Sequence, residues 1–273
     1  MPDYDNLHKR AREDIEIAIS IWTNILNDGQ RKVKAAYVKG SATKVWESPI
    51  DYVPFVSDLD IHVHLPEGVS LFHPKDHFFD AMDISEEYER RFIETHPDCL
   101  HIPRPQVLPV NRLKAHVSYV PPRPGDVRML LGNFEPEPLP DVDTIRDIDQ
   151  ENLQEIPSFL ESLPLAVVDR TGIEFWSVIR SMTWRVSPSP VRLLSQTYEN
   201  PLDLWVWNRT SIEEMLQEQG YNEIAQSYNG FYMSAWNVFL SDVKDSQAMR
   251  ACVKHGYTLL RRCFEKSQDF CNG

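Results

Sequence analysis

The sequence predicts an α/β (α+β) protein in two parts, a small mixed sheet flanked by helices followed by an all-helical bundle. Three observations carry this. Short β-like runs bounded by Gly and Pro fall between residues 34 and 120. A proline-rich acidic stretch, "NFEPEPLPDVDTIRDIDQEN", occupies 133–152. Beyond it, apolar residues recur at helical spacing almost to the end of the chain. The implied organisation is a first domain over 1–132, a linker over 133–152 and a helical bundle over 153–273.

Taken in order, residues 3–28 read as a helix with Ile15, Ala18, Ile19, Trp22 and Ile25 on one face, and Gly29 marks its stop. "KAAYVKGS", 34–41, reads as a short buried strand ending in a glycine turn. A polar loop with Pro49 and Pro54 then leads to "VSDLDIHVHL", 56–65. There Asp58, Asp60, His62 and His64 alternate with Leu59, Ile61, Val63 and Leu65. An extended strand sends successive side chains to opposite faces, so one face is apolar and the other carries two acids, then two imidazoles. "FHPKDHFFDAMDISEEYERRFIETH" is helical in composition after its early proline. "NRLKAHVSYV", 111–120, reads as another strand, closed by Pro121 and Pro122.

The 133–152 stretch holds three prolines, seven acids and one arginine, the composition of a solvated joint. Four apolar stripes follow. Phe175, Val178, Ile179 and Met182 form the first. Thr210 and Glu213 fit a capping box opening the second helix, which Gly220 closes. Ile224, Tyr228, Phe231, Ala235 and Phe239 form the third, and Met249, Cys252, Val253, Leu260 and Phe264 the fourth. Such stripes are bundle core.

Composition excludes several classes. Of 273 residues, 42% are hydrophobic and 25% charged, which is globular and not disordered. The net charge of −13 argues against binding duplex nucleic acid, which requires neutralising phosphates. No apolar run approaches the roughly 18 residues that cross a bilayer, and the polar, acidic N-terminus is unlike a secretory signal. A cytoplasmic protein is expected. Cys99, Cys252, Cys263 and Cys271 form no C-x-x-C pair, which disfavours a structural zinc site or a disulfide framework.

Two like charges on one side of a strand repel. Bound cations would relieve that repulsion, and magnesium favours hard carboxylate oxygens together with substrate phosphates. The upstream "VKGSATK" supplies a matching partner. Glycine lets the backbone approach a phosphate closely, and backbone N–H groups with the Ser41 hydroxyl can donate to it. A strand, a Gly-Ser turn and a second strand with S-D-x-D resembles the nucleotidyltransferase superfamily with the DNA polymerase β-like catalytic fold. The matching residues are Gly40, Ser41, Ser57, Asp58 and Asp60. The helical second half is similar in architecture to the aminoglycoside nucleotidyltransferase branch.

The resemblance implies an enzyme. Asp58 and Asp60 would bind magnesium, two ions with bound nucleotide, while Gly40, Ser41 and Ser57, with Lys44 assisting, would hold the phosphates of a nucleoside triphosphate such as ATP. A hydroxyl of a small acceptor would attack the α-phosphate and pyrophosphate would leave; paired metals stabilise both oxygens of such an in-line displacement. The acidic chain suits a cationic acceptor. The family carries a third carboxylate on a neighbouring strand. Here that strand is read as "RLKAHVSYV", whose polar face offers His116 and Ser118 and no acid; the role could pass to His116, to Asp126 just beyond, to an acid of 135–149 or to a glutamate of the helical domain, or be absent. The loop between Gly-Ser and the aspartates is longer than the family pattern. Two alternatives stand beside this reading: a lapsed nucleotide-binding or interaction protein of the same fold, and a zinc-dependent hydrolase using His62, His64, His73 and His77.

Overall fold

Residues 2–28, 31–72, 76–116, 118–133 and 135–271 are described by a computed structural model. Helix α1 (Tyr4–Leu26) opens at Asp3, whose carboxylate accepts from the Asn6 N–H at 3.1 Å. Its stripe of Ala11, Ile15, Ala18, Ile19, Trp22 and Ile25 is buried. Asn27 follows the last turn, and Gly29 lies outside the described residues.

Strands β1 (Ala35–Lys39) and β2 (Leu59–His64) are antiparallel, with Lys39 opposite Asp60 and Tyr37 opposite His62. Helix α2 (His77–Thr95) follows and packs on α1 through Trp22 and Tyr88, whose rings lie 5.3 Å apart. Strand β3 (Pro105–Pro109) joins β2 in parallel, and a single turn, α3 (Val110–Leu113), comes next. Strand β4 (Arg128–Leu131) pairs antiparallel with β1, completing a sheet of order β3-β2-β1-β4. Alternation sorts the residues as the sequence requires: Ala36, Val38, Leu59, Ile61 and Val63 are buried on one face, while Lys39, Asp60, His62 and His64 share the other.

The strand expected over 111–120 does not form. Val110–Leu113 are helical and residues 114–116 turn, so the strand beside β2 lies earlier, at Pro105–Pro109. Proline within a run argues against a central strand, but β3 is at the sheet edge, where a missing N–H costs little.

The chain divides into two compact units: 1–44 with 57–139, and 45–56 with 140–273. The second is helical, with α4 (Val142–Gln154), α5 (Ile156–Val168), α6 (Trp176–Val186), α7 (Ser189–Ser195), α8 (Pro201–Val206), α9 (Arg209–Glu218), α10 (Asn222–Leu240) and α11 (Ser246–Cys271). Two expectations about boundaries change here. Residues 142–152 of the expected 133–152 linker belong to α4, capped by Asp141 and buried at Ile145 and Asp149, so of the described linker residues only those before 142 are irregular. Residues 45–56, assigned from sequence to the first domain, belong to the helical unit. Asp51 accepts there from the Glu47 and Ser48 N–H groups and from both the N–H and the hydroxyl of Thr210, all at 2.7–3.0 Å. Arg209 donates to the Ile50 carbonyl and Trp236 to that of Pro49. Thr210 is therefore not the cap of α9; Asn208 is, accepting from the Ser211 N–H at 2.8 Å. Among the described residues no helix is long and apolar enough to cross a membrane.

Candidate functional site

The turn leaving β1 is shaped by Gly40, at φ 83°. A Cβ at that position would collide with the Asp60 carboxylate, so glycine is required both by backbone conformation and by the approach of the acid. The Gly40 carbonyl accepts from the Thr43 N–H at 3.1 Å and from the Thr43 hydroxyl at 3.0 Å. Arg12 of α1 pins the turn from behind, donating to the Ala42 carbonyl at 2.7 Å and to that of Lys44 at 2.9 Å. Ser41 is half-buried on the turn. Ser57 is buried and engaged within the protein.

Asp60 lies on β2 and Asp58 immediately precedes it, close enough for its charge to act on Asp60. Burial raises the Asp60 pKa to about 6, and the neighbouring Asp58 charge adds to this; Lys39, Arg104 and Lys44 oppose it. Two carboxylates thus sit among three cations, a locally positive cluster in a chain of net charge −13. Burial lowers the Lys39 pKa, and Asp60 partly restores it.

Arg104, which the sequence analysis did not single out, is paired with Asp58. The Arg104 carbonyl accepts from the Leu59 N–H at 3.0 Å, which sets its side chain level with Asp58. Nε donates to Asp58 Oδ1 at 2.8 Å and Nη2 forms an ion-pair contact with Oδ2. Directly across from Asp60 stands Gln106. The strand beside β2 therefore presents an arginine and an amide, not the third carboxylate that the resemblance implies. The only sequence signal for this was the short "VL" between two prolines, easily passed over as a loop.

Two of the groups suggested as replacements, His116 and Asp126, lie elsewhere. His116 stands on an exposed turn after α3, not on a strand beside β2. Asp126, in a 3-10 turn before β4, is paired with Arg123 at 2.7 Å.

The histidines have structural work. His62 is buried and hydrogen-bonds Tyr37 Oη through Nδ1 at 3.2 Å; burial, then Lys39, lowers its pKa to about 3. His64 packs on the same Tyr37 ring at 5.6 Å. His77 begins α2, and His73 lies outside the described residues. Among the described residues no group of three or more His, Cys, Asp or Glu side chains is placed to hold a metal.

Magnesium demands less from the protein than zinc, because substrate phosphates and water complete its shell. Two adjacent carboxylates, one with a raised pKa, beside a turn too tight for a Cβ are a donor set that fits it. Comparison with protein-family models, with curated proteins and with solved structures finds no match, so the reading rests on the chain's own geometry.

Proposed function

We propose that the chain binds a magnesium nucleoside triphosphate, with ATP as the reference ligand, and transfers its nucleoside monophosphate to a hydroxyl of a small acceptor. The observation that supports this is the contact between the Gly40 turn and the Asp60 carboxylate, which brings the backbone N–H groups proposed for phosphate next to the acid proposed for metal. Asp58 and Asp60 would hold magnesium, which when bound screens charge on the phosphates. The Gly40–Ser41 turn would donate to those phosphates, and Lys44 and Lys39 would attract them. This site suits an anionic nucleotide despite the acidic chain because three cations surround it.

A second reading, binding without transfer, is favoured by Gln106 opposite Asp60 and by the absence of a base on β3. Calorimetric titration with Mg·ATP separates the outcomes. The parent should bind, and Asp58→Asn and Asp60→Asn should lose magnesium-dependent binding while remaining folded. Gly40→Ala should bind at least about tenfold more weakly, since the new methyl displaces Asp60 and a left-handed alanine costs roughly 1–2 kcal/mol. Equal binding by parent and both aspartate variants overturns the site. Binding without pyrophosphate release across a broad panel of hydroxyl acceptors selects the second reading.

A further inference from the structure

We propose that Arg104 is an internal counter-ion that closes Asp58 to free magnesium and releases it only when a polyphosphate arrives to take the guanidinium. The inference rests on the reading of Asp58 and Asp60 as a magnesium site and names how that site is gated.

The geometry supports a latch. The guanidinium covers both oxygens of Asp58, through Nε to Oδ1 and Nη2 towards Oδ2. The Asp58 side chain is 9% exposed, whereas that of Arg104 is 41% exposed. The acid is fixed and its partner borders solvent, so the partner is the member able to move. Gln106, the residue opposite Asp60 on β3, adds no negative charge. With two carboxylates among three cations, the free site has no net negative charge and attracts a bare divalent cation weakly.

Hydrated magnesium sheds water reluctantly, and here it must also displace the arginine paired with Asp58. A nucleotide changes the balance. Its phosphates bring oxygens for the metal, and they offer the arginine fork an alternative bidentate partner of matching shape. Metal and polyphosphate should therefore bind together, each weak without the other. Such coupling would keep the site closed to free divalent cations.

The test uses Mn²⁺ as a paramagnetic stand-in for magnesium, with its free concentration followed by electron paramagnetic resonance, and magnesium tripolyphosphate in calorimetry. The full chain is compared with Arg104→Gln, Arg104→Lys and Asp58→Asn, each checked for fold by circular dichroism. Removing one unit charge about 4 Å away should tighten binding of Mn²⁺ alone to Arg104→Gln by at least about fivefold, even under bulk-water screening. The same variant should bind magnesium tripolyphosphate more weakly than the parent. Arg104→Lys, which keeps the charge but cannot cover both oxygens, should fall between the two for Mn²⁺ alone, and it serves as the test should Arg104→Gln not fold. If neither arginine variant gains Mn²⁺ affinity while Asp58→Asn loses it, the latch is wrong and the metal site stands. If Asp58→Asn also binds Mn²⁺ and magnesium tripolyphosphate as the parent does, the metal site is wrong and the latch falls with it.

Discussion

At the scale of single residues, Asp60 carries a testable pH signature. Burial and Asp58 lift its pKa from an ordinary 3.8 to about 6, so between those values the folded chain binds more protons than the unfolded one. The sign follows. The Asp60 contribution to stability is fully present below about pH 4, is lost as pH rises through about 6 and stays lost above. Asp60→Asn removes the penalty, so in the absence of metal it should melt higher than the parent at pH 7.5, by about 2–4 °C for each kcal/mol recovered. That advantage should vanish near pH 4. Asp149, also raised to about 6 by burial, has the same sign, which is why the difference between parent and Asp60→Asn is the quantity to measure by calorimetry. An advantage independent of pH would mean that Asp60 is not the titrating group.

At the scale of elements, the segment 45–56 does more than join β1 to β2. Val53, Tyr52, Ile50 and Val56 are buried in the helical unit, and Asp51 anchors the segment to the start of α9. Asp51→Ala would leave the Glu47, Ser48 and Thr210 N–H groups without their acceptor in a part-buried setting, while Ser48 Oγ stays within reach of the Thr210 hydroxyl. The expected cost is about 2–4 kcal/mol, since an unsatisfied buried donor loses its full desolvation and the lost bonds were charge-assisted. Urea denaturation measures it, and a loss below about 0.5 kcal/mol would show the anchor to be incidental. The same element explains the unusually long loop between the glycine turn and the aspartates: its residues are core of another unit. Helix α4 carries a related lesson. Its acids read as solvated, yet Ile145, Asp149 and Leu153 fall four residues apart on one buried face.

At the scale of the whole molecule, the boundary between units falls between Leu139 and Pro140, inside a stretch that is largely exposed and irregular from Glu135 to Asp141. Limited digestion with a broad-specificity protease should therefore cut first between Glu135 and Asp141, and α4 should resist, because proteolysis needs exposed, unfolded backbone. Mass spectrometry of the first fragments checks this. A first cut within 142–154 would mean that α4 is not packed as described. The two crossings of the chain, at Lys44–Val45 and at Val56–Ser57, also mean that neither unit is one continuous run of sequence.

Much of this was legible in the sequence because it depends on local periodicity. Alternation alone placed Asp60, His62 and His64 on one side of β2, helical spacing alone found the stripes of α1, α6, α10 and α11, and the glycine turn announced itself by composition. Tertiary structure decided what depends on neighbours distant along the chain. It put β3 at a sheet edge, where its prolines are tolerated, and so moved the partner strand away from His116. It buried Ser57, His62 and Asp149, and it brought Arg104 across 46 residues to cover Asp58. Periodicity reports which way a side chain faces; only packing decides what it faces.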